Sequence, residues 1–449
     1  MNSNAPIKKR NHPFRKLWHW IVLILAIILI AGLYIYINFN NLLAEALQKS
    51  FNSSLISNVY ELKFEKLRVN PIVGNINVIN VAFHKREKPL HYYPYINSTI
   101  KLTTHKILLT KVNIISLLQS NVLQLESIEI DSPEVELVIT DAIPIFFPFK
   151  DSTNLVKEDS AAKKKSIEGF ILKEFKLINA GLTVLNSAKE RELKIENLNI
   201  SVKDFLIQQL PGQDIIASNS IDLSLGGLSG KLKREGFKTV NFQNFQLNID
   251  TIKVEKTIDT LIYQFSDFNT GVEMLDLLTA DSIFEIKMQS FQLSYKGKSI
   301  DLQGVSFTPT VKNELIPTKS KYRQTQFSGS LGSLKMSGVN FDTLSLAQKL
   351  FIEKISLDSI DLNLFVDKAK MIDPKKFPEY LGQKIISIPL PIEVKYVEAK
   401  AVNLVNTEKK ENGEYAKIHV QHGTLEAQNI TNLPTTEPLS LTLSAYIEG

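Results

Sequence analysis

The sequence predicts a mainly β protein: an elongated, twisted, curled antiparallel sheet that forms an apolar groove, with one N-terminal transmembrane helix and a few short helices. One uninterrupted apolar run near the N-terminus predicts the transmembrane helix. Beyond residue 59 apolar residues recur mostly at every second position, which is the period of a strand with one buried face. The composition, 44% hydrophobic and 22% charged residues in 449, is that of an ordinary folded protein.

The excess charge of the chain is concentrated at its start. Of the 52 basic residues, five precede residue 17 with no acidic residue among them, and the other 47 balance the 47 acidic residues. A nucleic-acid binder needs a local cationic excess against phosphates, so this balance argues against that class. The chain has no cysteine, which excludes disulfides, thiolate metal sites and cysteine nucleophiles.

A membrane-spanning helix is predicted at residues 17–39. Residues 20–37 are eighteen consecutive apolar residues, and about 20 helical residues cross a hydrocarbon core of about 30 Å. The basic residues lie only on the N-terminal side, which predicts a cytoplasmic tail at residues 1–16 and places residues 40–449 on the other side of the membrane. The aromatic residues expected at the two membrane interfaces are Trp18, Trp20, Tyr34 and Tyr36.

Two other interpretations of the apolar run stay open. A cleaved secretory signal is one, because Ala44-Glu45-Ala46 is a small-residue site, although the run is longer than the usual ~7 to 15 residues of a signal core. A buried core helix is the other, although core helices normally have a polar face and this segment has none.

A short helix and then strands are expected beyond the anchor. Apolar residues at four-residue steps from Leu43 to Leu55 predict a helix that packs on one side, and further short helices are expected at residues 114–120 and near residues 375–384. The last residues, 439–449, have the pattern of a strand, which leaves open that the β region continues beyond this sequence.

One unit of apolar positions, at offsets 0, 2, 5, 7, 12 and 14, recurs at five places in the β region. A helical stripe does not explain these offsets, because on a helix they point to both sides of the axis. The change from a two-residue to a three-residue step turns the inward face over unless one extra residue is absorbed. We therefore expect β-bulges that curl the sheet, although a closed β-sandwich would have the same alternation. The units begin at Leu123, Phe170, Leu193, Val240 and Leu350.

Eight apolar positions within these units are candidates for a lipid-binding lining. Acyl chains need a continuous apolar surface shielded from water, and an apolar sheet face supplies it without any specific side chain. Ordinary core packing is the alternative role for each of them. The candidates are Leu125, Ile128, Leu172, Phe175, Phe242, Phe245, Ile352 and Ile355.

The sequence predicts no enzyme, no cofactor and no metal site. None of the seven histidines is in an HExxH arrangement, and the glycine clusters at residues 226–230 and 328–332 match neither a nucleophile elbow nor a Walker loop. Acidic residues alternate with apolar ones, as on a solvated sheet face. An unrecognised hydrolase would therefore need a site that these motifs do not indicate.

The order of the elements resembles the AsmA-like family of bacterial envelope proteins. In that family an anchor precedes strand pairs, a helix that ends in a Leu-Leu step, and a strand with an Ile-x-Ile followed by a Pro. The match is best over residues 17–140, and residues 391–434 look like the central part of larger relatives. The matching residues are Leu117-Leu118, Ile128-Glu129-Ile130 and Pro133.

The resemblance implies a single-pass inner-membrane protein whose bulk is periplasmic. It implies an apolar β-groove that holds or conducts phospholipid between inner and outer membrane, or a role in outer-membrane biogenesis. The implied partners are membrane phospholipid, the inner membrane and outer-membrane or periplasmic assembly proteins. The alternative is an anchored envelope scaffold that binds assembly partners through its sheet edges without carrying lipid.

Overall fold

The computed structural model describes most of the chain beyond the predicted anchor. The described residues are 44–45, 47–49, 51–70, 73–113, 122–148, 169–210, 213–232, 236–257, 261–311, 322–375, 377, 380–434 and 438–448. The predicted anchor, its interface aromatics, the basic tail and the helix expected at 114–120 lie outside them. No helix within the described part is long and apolar enough to cross a membrane.

Strands dominate the described chain and form one curled 18-stranded sheet. Neighbours in the chain are neighbours in the sheet from β1 to β18, except that two rungs are each made of two strands end to end. These rungs are β4 with β5 beside β6, and β10 with β11 beside β9. The strands are β1 (Tyr60–Asn70), β2 (Asn75–Lys85), β3 (Ser98–Thr110), β4 (Val122–Asp131), β5 (Glu134–Ile139), β6 (Gly169–Asn186), β7 (Arg191–Leu210), β8 (Gln213–Lys231), β9 (Phe237–Thr257), β10 (Leu261–Gln264), β11 (Asp267–Thr279), β12 (Phe284–Ser294), β13 (Ser299–Pro309), β14 (Thr325–Ser337), β15 (Leu350–Asp367), β16 (Ile392–Lys409), β17 (Tyr415–Thr431) and β18 (Ser440–Glu448).

Most strand pairs are antiparallel, as predicted, but the sheet is mixed. β4 and β5 run parallel to β6, and β15 runs parallel to β16. The sequence did not predict these junctions, because a half-exposed strand has the same alternation in either kind of pair. Parallel neighbours need a crossover, and the chain between them is residues 140–168 in one case and 368–391 in the other.

Helices are few and short in the described chain. Residues 44, 45, 47–49, 51 and 52 are helical, which agrees with the helix predicted beyond the anchor, and a 3-10 turn at Leu55–Asn58 leads into β1. The other helical elements are a 3-10 turn at Ser187–Lys189, α1 (Phe341–Ala347) and α2 (Leu381–Ile386). Helix α2 overlaps the end of the helix expected near 375–384.

The cross-strand register gives the sheet one apolar and one polar face. A row of paired residues that crosses the sheet from β1 to β18 is apolar at every strand except at Thr270. The next row, one residue along each strand, is polar except at Leu108 and Tyr396. We call them the central apolar row and the outer polar row. The central apolar row is Leu67, Val78, Ile107, Ile130, Leu177, Ile200, Leu223, Leu247, Thr270, Leu293, Ile300, Met336, Ile355, Val397, Ala427 and Leu441. The outer polar row is Arg68, Asn77, Leu108, Glu129, Lys176, Ser201, Asp222, Asn248, Asn269, Ser294, Ser299, Ser337, Lys354, Tyr396, Gln428 and Ser440.

Two lines of interrupted pairing, which we call the first and second seam, run across the strands. At each strand a residue on the line leaves the hydrogen-bonded ladder, and many of these residues have a left-handed backbone, such as φ 53° at Asn197 and 49° at Asn244. The first seam passes through Glu65, Asn80, His105, Ser132, Asn179, Asn197, Gly226, Asn244, Met274, Gln289, Gly304, Gly332, Ser359, Ala401 and His422. The second seam passes through Glu126, Lys173, Asp204, Asn219 and Thr251.

The seams lie at the irregular steps of the five sequence units, except that the step from Ile352 to Ile355 falls at Glu353, where only the pairing of β15 with β16 is interrupted. In β9, Phe242 and Phe245 flank the first seam, and the interruption keeps both on the apolar face. The expected β-bulges explain only part of the interrupted pairing. At most places both paired strands leave a residue out of the ladder at the same point, so the register does not shift. Leu225 pairs with Phe245 and Gly227 with Gln243, and the register does not shift between the two pairs. Register shifts do occur between β6 and β7, β9 and β11, β16 and β17, and β17 and β18.

The sheet is a single layer over most of its area. Few side chains of the described residues are buried, and most strand positions are half-buried or exposed. Local cover occurs near β15, where Val339, Ile352 and Val394 form a buried cluster and Phe341 of α1 packs against it. Elsewhere most residues of the central apolar row are half-buried, because no second layer covers them.

Candidate functional site

The candidate site is the apolar face of the sheet, because apolar rows on both sides of the first seam make it continuous. A flanking apolar row beyond the first seam contains apolar residues and glycines only. Its members are Ile100, Leu137, Val184, Leu193, Gly230, Val240, Leu277, Ile286, Phe307, Gly329, Leu362, Leu404, Val420 and Ile447. Folding at the seam brings the two rows onto one surface instead of turning one of them to water.

The apolar face contains a depression of about 260 Å³ across β13–β15. Stacked aromatic rings lead into it: the centroids of Phe284 and Phe307 are 4.5 Å apart, and those of Phe307 and Phe327 are 5.4 Å apart. The side chain of Phe327 is 60% exposed, and Leu331 and Leu362 complete the wall. A large aromatic side chain exposed beside other apolar groups marks a surface suited to an apolar partner.

The polar face has depressions of its own. One of about 470 Å³ lies across β6–β9 and is lined mainly by side chains of that face, such as Asn199, Asp222 and Asn248. Asn248 donates a hydrogen bond of 2.7 Å to Asp222, so the amide and the carboxylate at this place satisfy one another. Ile178 also lines this depression, so it is not wholly polar. The continuous apolar rows of the other face make that face the better candidate.

The eight predicted lining residues all lie on the apolar face. Leu125 pairs with Leu172 and Ile128 with Phe175 across β4 and β6. Phe242 and Phe245 flank the first seam in β9, and Ile352 and Ile355 flank Glu353, a position that the pairing of β15 with β16 skips. Three of the eight are in tight packing, with exposed fractions of 5% for Leu125, 3% for Leu172 and 1% for Ile352. The remaining five are half-buried: Ile128, Phe175, Phe242, Phe245 and Ile355. The lining role of all eight stays a prediction.

Sequence reasoning missed most of the central apolar row. Ile200, Leu223 and Leu293 were not singled out, and neither was the exposed Phe327. The apolar period within each strand was a usable signal for all of them, but the row is defined by pairing between strands that are distant in the chain. The apolar period within one strand does not show which residues of another strand it pairs with.

One end of the apolar face, near β1 and β2, is covered by aromatic side chains. The rings of Tyr60 and Phe83 stack with centroids 4.9 Å apart, and Phe147 from the segment after β5 lies 5.6 Å from Tyr60. Phe51 from the helical residues before β1 contacts Phe83 edge-on at 6.3 Å. This cluster excludes water from the end of the face closest in sequence to the predicted anchor.

Ion pairs on the polar face complement the apolar one. Lys106 lies 2.7 Å from Glu129, and Lys354 lies 2.9 Å from Glu398. Hydrogen bonds from Lys354 and from Ser356 hold the pKa of Glu398 below its usual value. These pairs are partly exposed to water, where each contributes little to stability. These ion pairs keep the polar face of the sheet hydrated.

Chemistry-bearing side chains do not converge in the described part of the chain. It holds no group of three or more histidine, aspartate or glutamate side chains that could bind a metal ion. His84 lies 3.3 Å from Glu61, and His105 contacts Asn80 at 3.1 Å on the first seam. His12 and His19 lie outside the described residues.

Comparisons with protein-family models and with curated proteins find no match to this chain.

Proposed function

We propose that this chain is an inner-membrane-anchored periplasmic protein whose apolar sheet face holds phospholipid acyl chains and conducts them between the two membranes or toward outer-membrane biogenesis. The observation that carries the proposal is the central apolar row, with its single polar member at Thr270. A row of this kind keeps an acyl chain on apolar atoms at every strand, which is what shielding it from water requires.

The length of the row favours a conduit over a single binding site. Adjacent strands are about 4.8 Å apart, so the row from β1 to β18 extends over about 70 Å along the sheet. One leaflet of a bilayer contributes about half of a hydrocarbon core of about 30 Å. The row is therefore several acyl chains long, and no specific side chain is needed for a lipid to move along it.

A charge on the apolar face tests the proposal. Leu247→Glu and Thr270→Glu place a carboxylate in the central apolar row, and Gln246→Glu places the same group on the polar face of β9. We expect phospholipid that co-purifies with the detergent-extracted full chain to fall several-fold in the first two variants and to stay unchanged in the third. Thr270→Glu removes no large apolar side chain, but it loses the 2.9 Å hydrogen bond from the Thr270 hydroxyl to the carbonyl of Gln246, so the strand content of each variant is measured as well.

Equal lipid in all three variants, measured by mass spectrometry on protein with an unchanged strand signal in circular dichroism, would contradict the proposal.

A scaffold without lipid is the second candidate, and the edge strand β18 favours it. Within the described residues β18 pairs only with β17, and Leu443 on it is 67% exposed. Such an edge can add a strand from another chain. If the chain is a scaffold, Leu247→Glu leaves partner binding in cells intact. Ser444→Pro, which blocks the addition of a strand at this edge, abolishes it.

A further inference from the structure

The loop between β2 and β3, residues 86–97, is attached to the part of the chain that follows the predicted anchor. The backbone N–H of Leu90 donates a hydrogen bond of 2.7 Å to the carbonyl of Asn58, and the Asn58 amide donates one of 2.9 Å to the hydroxyl of Tyr93. Arg86 Nε donates one of 2.8 Å to the carbonyl of Ser57. The loop therefore follows the position of the 3-10 turn at Leu55–Asn58.

That turn is close in sequence to the predicted membrane segment. Residues 38–54 separate Ile37 from the turn, and a helix of that length spans about 25 Å. The described residues between 44 and 52 are helical, which shortens that part of the connection. The loop is thus held at the end of the sheet that lies next to the predicted anchor in the chain.

The loop presents apolar and aromatic side chains to water. Leu90 is 69% exposed and Tyr92 is 78% exposed. The neighbouring rings are held from behind, since Tyr93 lies 4.6 Å from the ring of His91 and 5.6 Å from that of Tyr95. A firmly held loop with two exposed apolar groups at its tip differs from a solvated turn.

The charges around the tip fit an anionic surface. Lys85 and Lys88 are exposed beside it, with Glu87 as the only acidic side chain in residues 84–97. Arg86 is engaged behind the tip, where it lies 3.8 Å from Glu61. Tyrosine prefers the membrane interface because its ring is apolar and its hydroxyl is polar, and lysine extends its charge toward headgroup phosphates.

We propose that the β2–β3 loop rests on the periplasmic surface of the membrane that anchors the chain, with Leu90 and Tyr92 in the interfacial region and Lys85 and Lys88 at anionic phospholipid headgroups. This inference rests on the anchoring in the proposed function. A single helix leaves the sheet free to tilt, and a second contact fixes its orientation. The β1–β3 end of the apolar rows is then the end that lies at this membrane.

The absence of cysteine from the chain makes a clean test available. Nitroxide labels are attached to Leu90→Cys, to Tyr92→Cys and, as a control, to Asn412→Cys in the turn between β16 and β17. The full chain is reconstituted in vesicles of phosphatidylethanolamine and phosphatidylglycerol. We expect collisions with a water-soluble nickel chelate to be several-fold rarer at the two loop positions than at Asn412, with oxygen collisions more frequent there. Equal access of the chelate at all three positions would overturn the inference.

The role of the two lysines is tested in the same vesicles. Lys85→Gln with Lys88→Gln, or replacement of phosphatidylglycerol by phosphatidylcholine, is expected to raise access of the chelate to the label at Tyr92→Cys. An unchanged depth in both cases would remove the anionic-headgroup part of the proposal.

The outcome is separable from the proposed function. Phospholipid bound to the apolar face is measured on the same preparations through the Leu247→Glu variant. A water-exposed loop on a protein that binds lipid overturns the membrane contact alone. A loop in the membrane on a protein that binds no lipid overturns the groove and keeps the contact.

Discussion

Asparagine, serine and glycine recur at the left-handed positions of the first seam because an ordinary side chain there crowds its own carbonyl. Asn80, Asn179 and Asn244 have φ between 49° and 52°, a region that asparagine and glycine tolerate better than other residues. The amide of Asn80 donates a hydrogen bond to Glu65, and that of Asn244 donates one of 2.8 Å to Glu273. Most left-handed positions of the seam are therefore marked in the sequence by such residues, although Met274, Ala401 and His422 share the conformation.

Among the residues of the first seam, Gly304 is the one at which we expect alanine to lower the free energy of unfolding most. Its φ is +59°, and a Cβ at this position would lie 2.4 Å from the side chain of Gln289. Gly304→Ala should lower the free energy of unfolding by about 1–2 kcal/mol, the cost of a left-handed backbone with a Cβ. Gly227→Ala is the matched control, because its nearest atom is 3.9 Å away. Urea unfolding of both variants in detergent checks this, and equal midpoints would contradict it.

Acid should weaken the sheet through its ion-paired carboxyls. Lysine hydrogen bonds lower their pKa values from the ordinary 4.5, so each carboxyl contributes its full stabilisation above that pH and loses it as the pH falls through the lowered value. The thermal midpoint is expected to fall as the pH drops below about 4.5, less so in Glu398→Gln. A midpoint that stays constant down to about pH 3 would contradict this. The carboxyls are those of Glu61, Glu126, Glu398 and Glu408.

At the scale of the element, each strand depends on the seam to keep one face apolar. In β7, Leu193 and Ile195 lie on one side of Asn197, and Leu198 and Ile200 lie on the other side. Deletion of Asn197 removes the residue that β7 leaves out of the ladder where β6 and β8 also leave one out. If the seam of β6 and β8 is kept, β7 is one residue short, and one of these pairs turns toward the polar face. We expect this deletion to abolish cooperative unfolding, as followed by circular dichroism.

Deletion of Asn412 is the control for that prediction. It removes one residue from the exposed turn between β16 and β17, where no alternation depends on it. The control should unfold close to the parent temperature. An Asn197 deletion that behaves like the control would show that the seam does not set the face.

Strand content and the irregular steps could be predicted from the sequence, but pairing could not. The units at Leu123 and Phe170 are 47 residues apart because their strands are parallel neighbours in which these two residues pair. The units at Leu193 and Val240 have the same interval, yet β8 lies between their strands. A repeat length alone does not distinguish the two arrangements, because both preserve the alternation of each strand.

At the scale of the whole molecule, the sheet is large, but few residues outside it pack against its apolar face. Aromatic side chains pack the end near β1 and β2, and α1 covers part of the sheet near β15, whereas most of the central apolar row lies half-buried. The sequence contained this contrast as a period-two pattern without enough helix to cover the sheet. It did not show which apolar positions are tightly packed, such as Ile352, and which are open, such as Phe327.

The most direct test of the conduit places a photoreactive amino acid along both faces of the full chain in cells. The apolar positions are Ile130, Leu223, Leu293 and Ile355, from β4 to β15, and the matched polar positions are Glu129, Asp222, Ser294 and Lys354. Irradiation followed by mass spectrometry is expected to show phospholipid joined to all four apolar positions and to none of the polar ones. Lipid at only one apolar position would indicate a single binding site, and lipid at none would contradict the account.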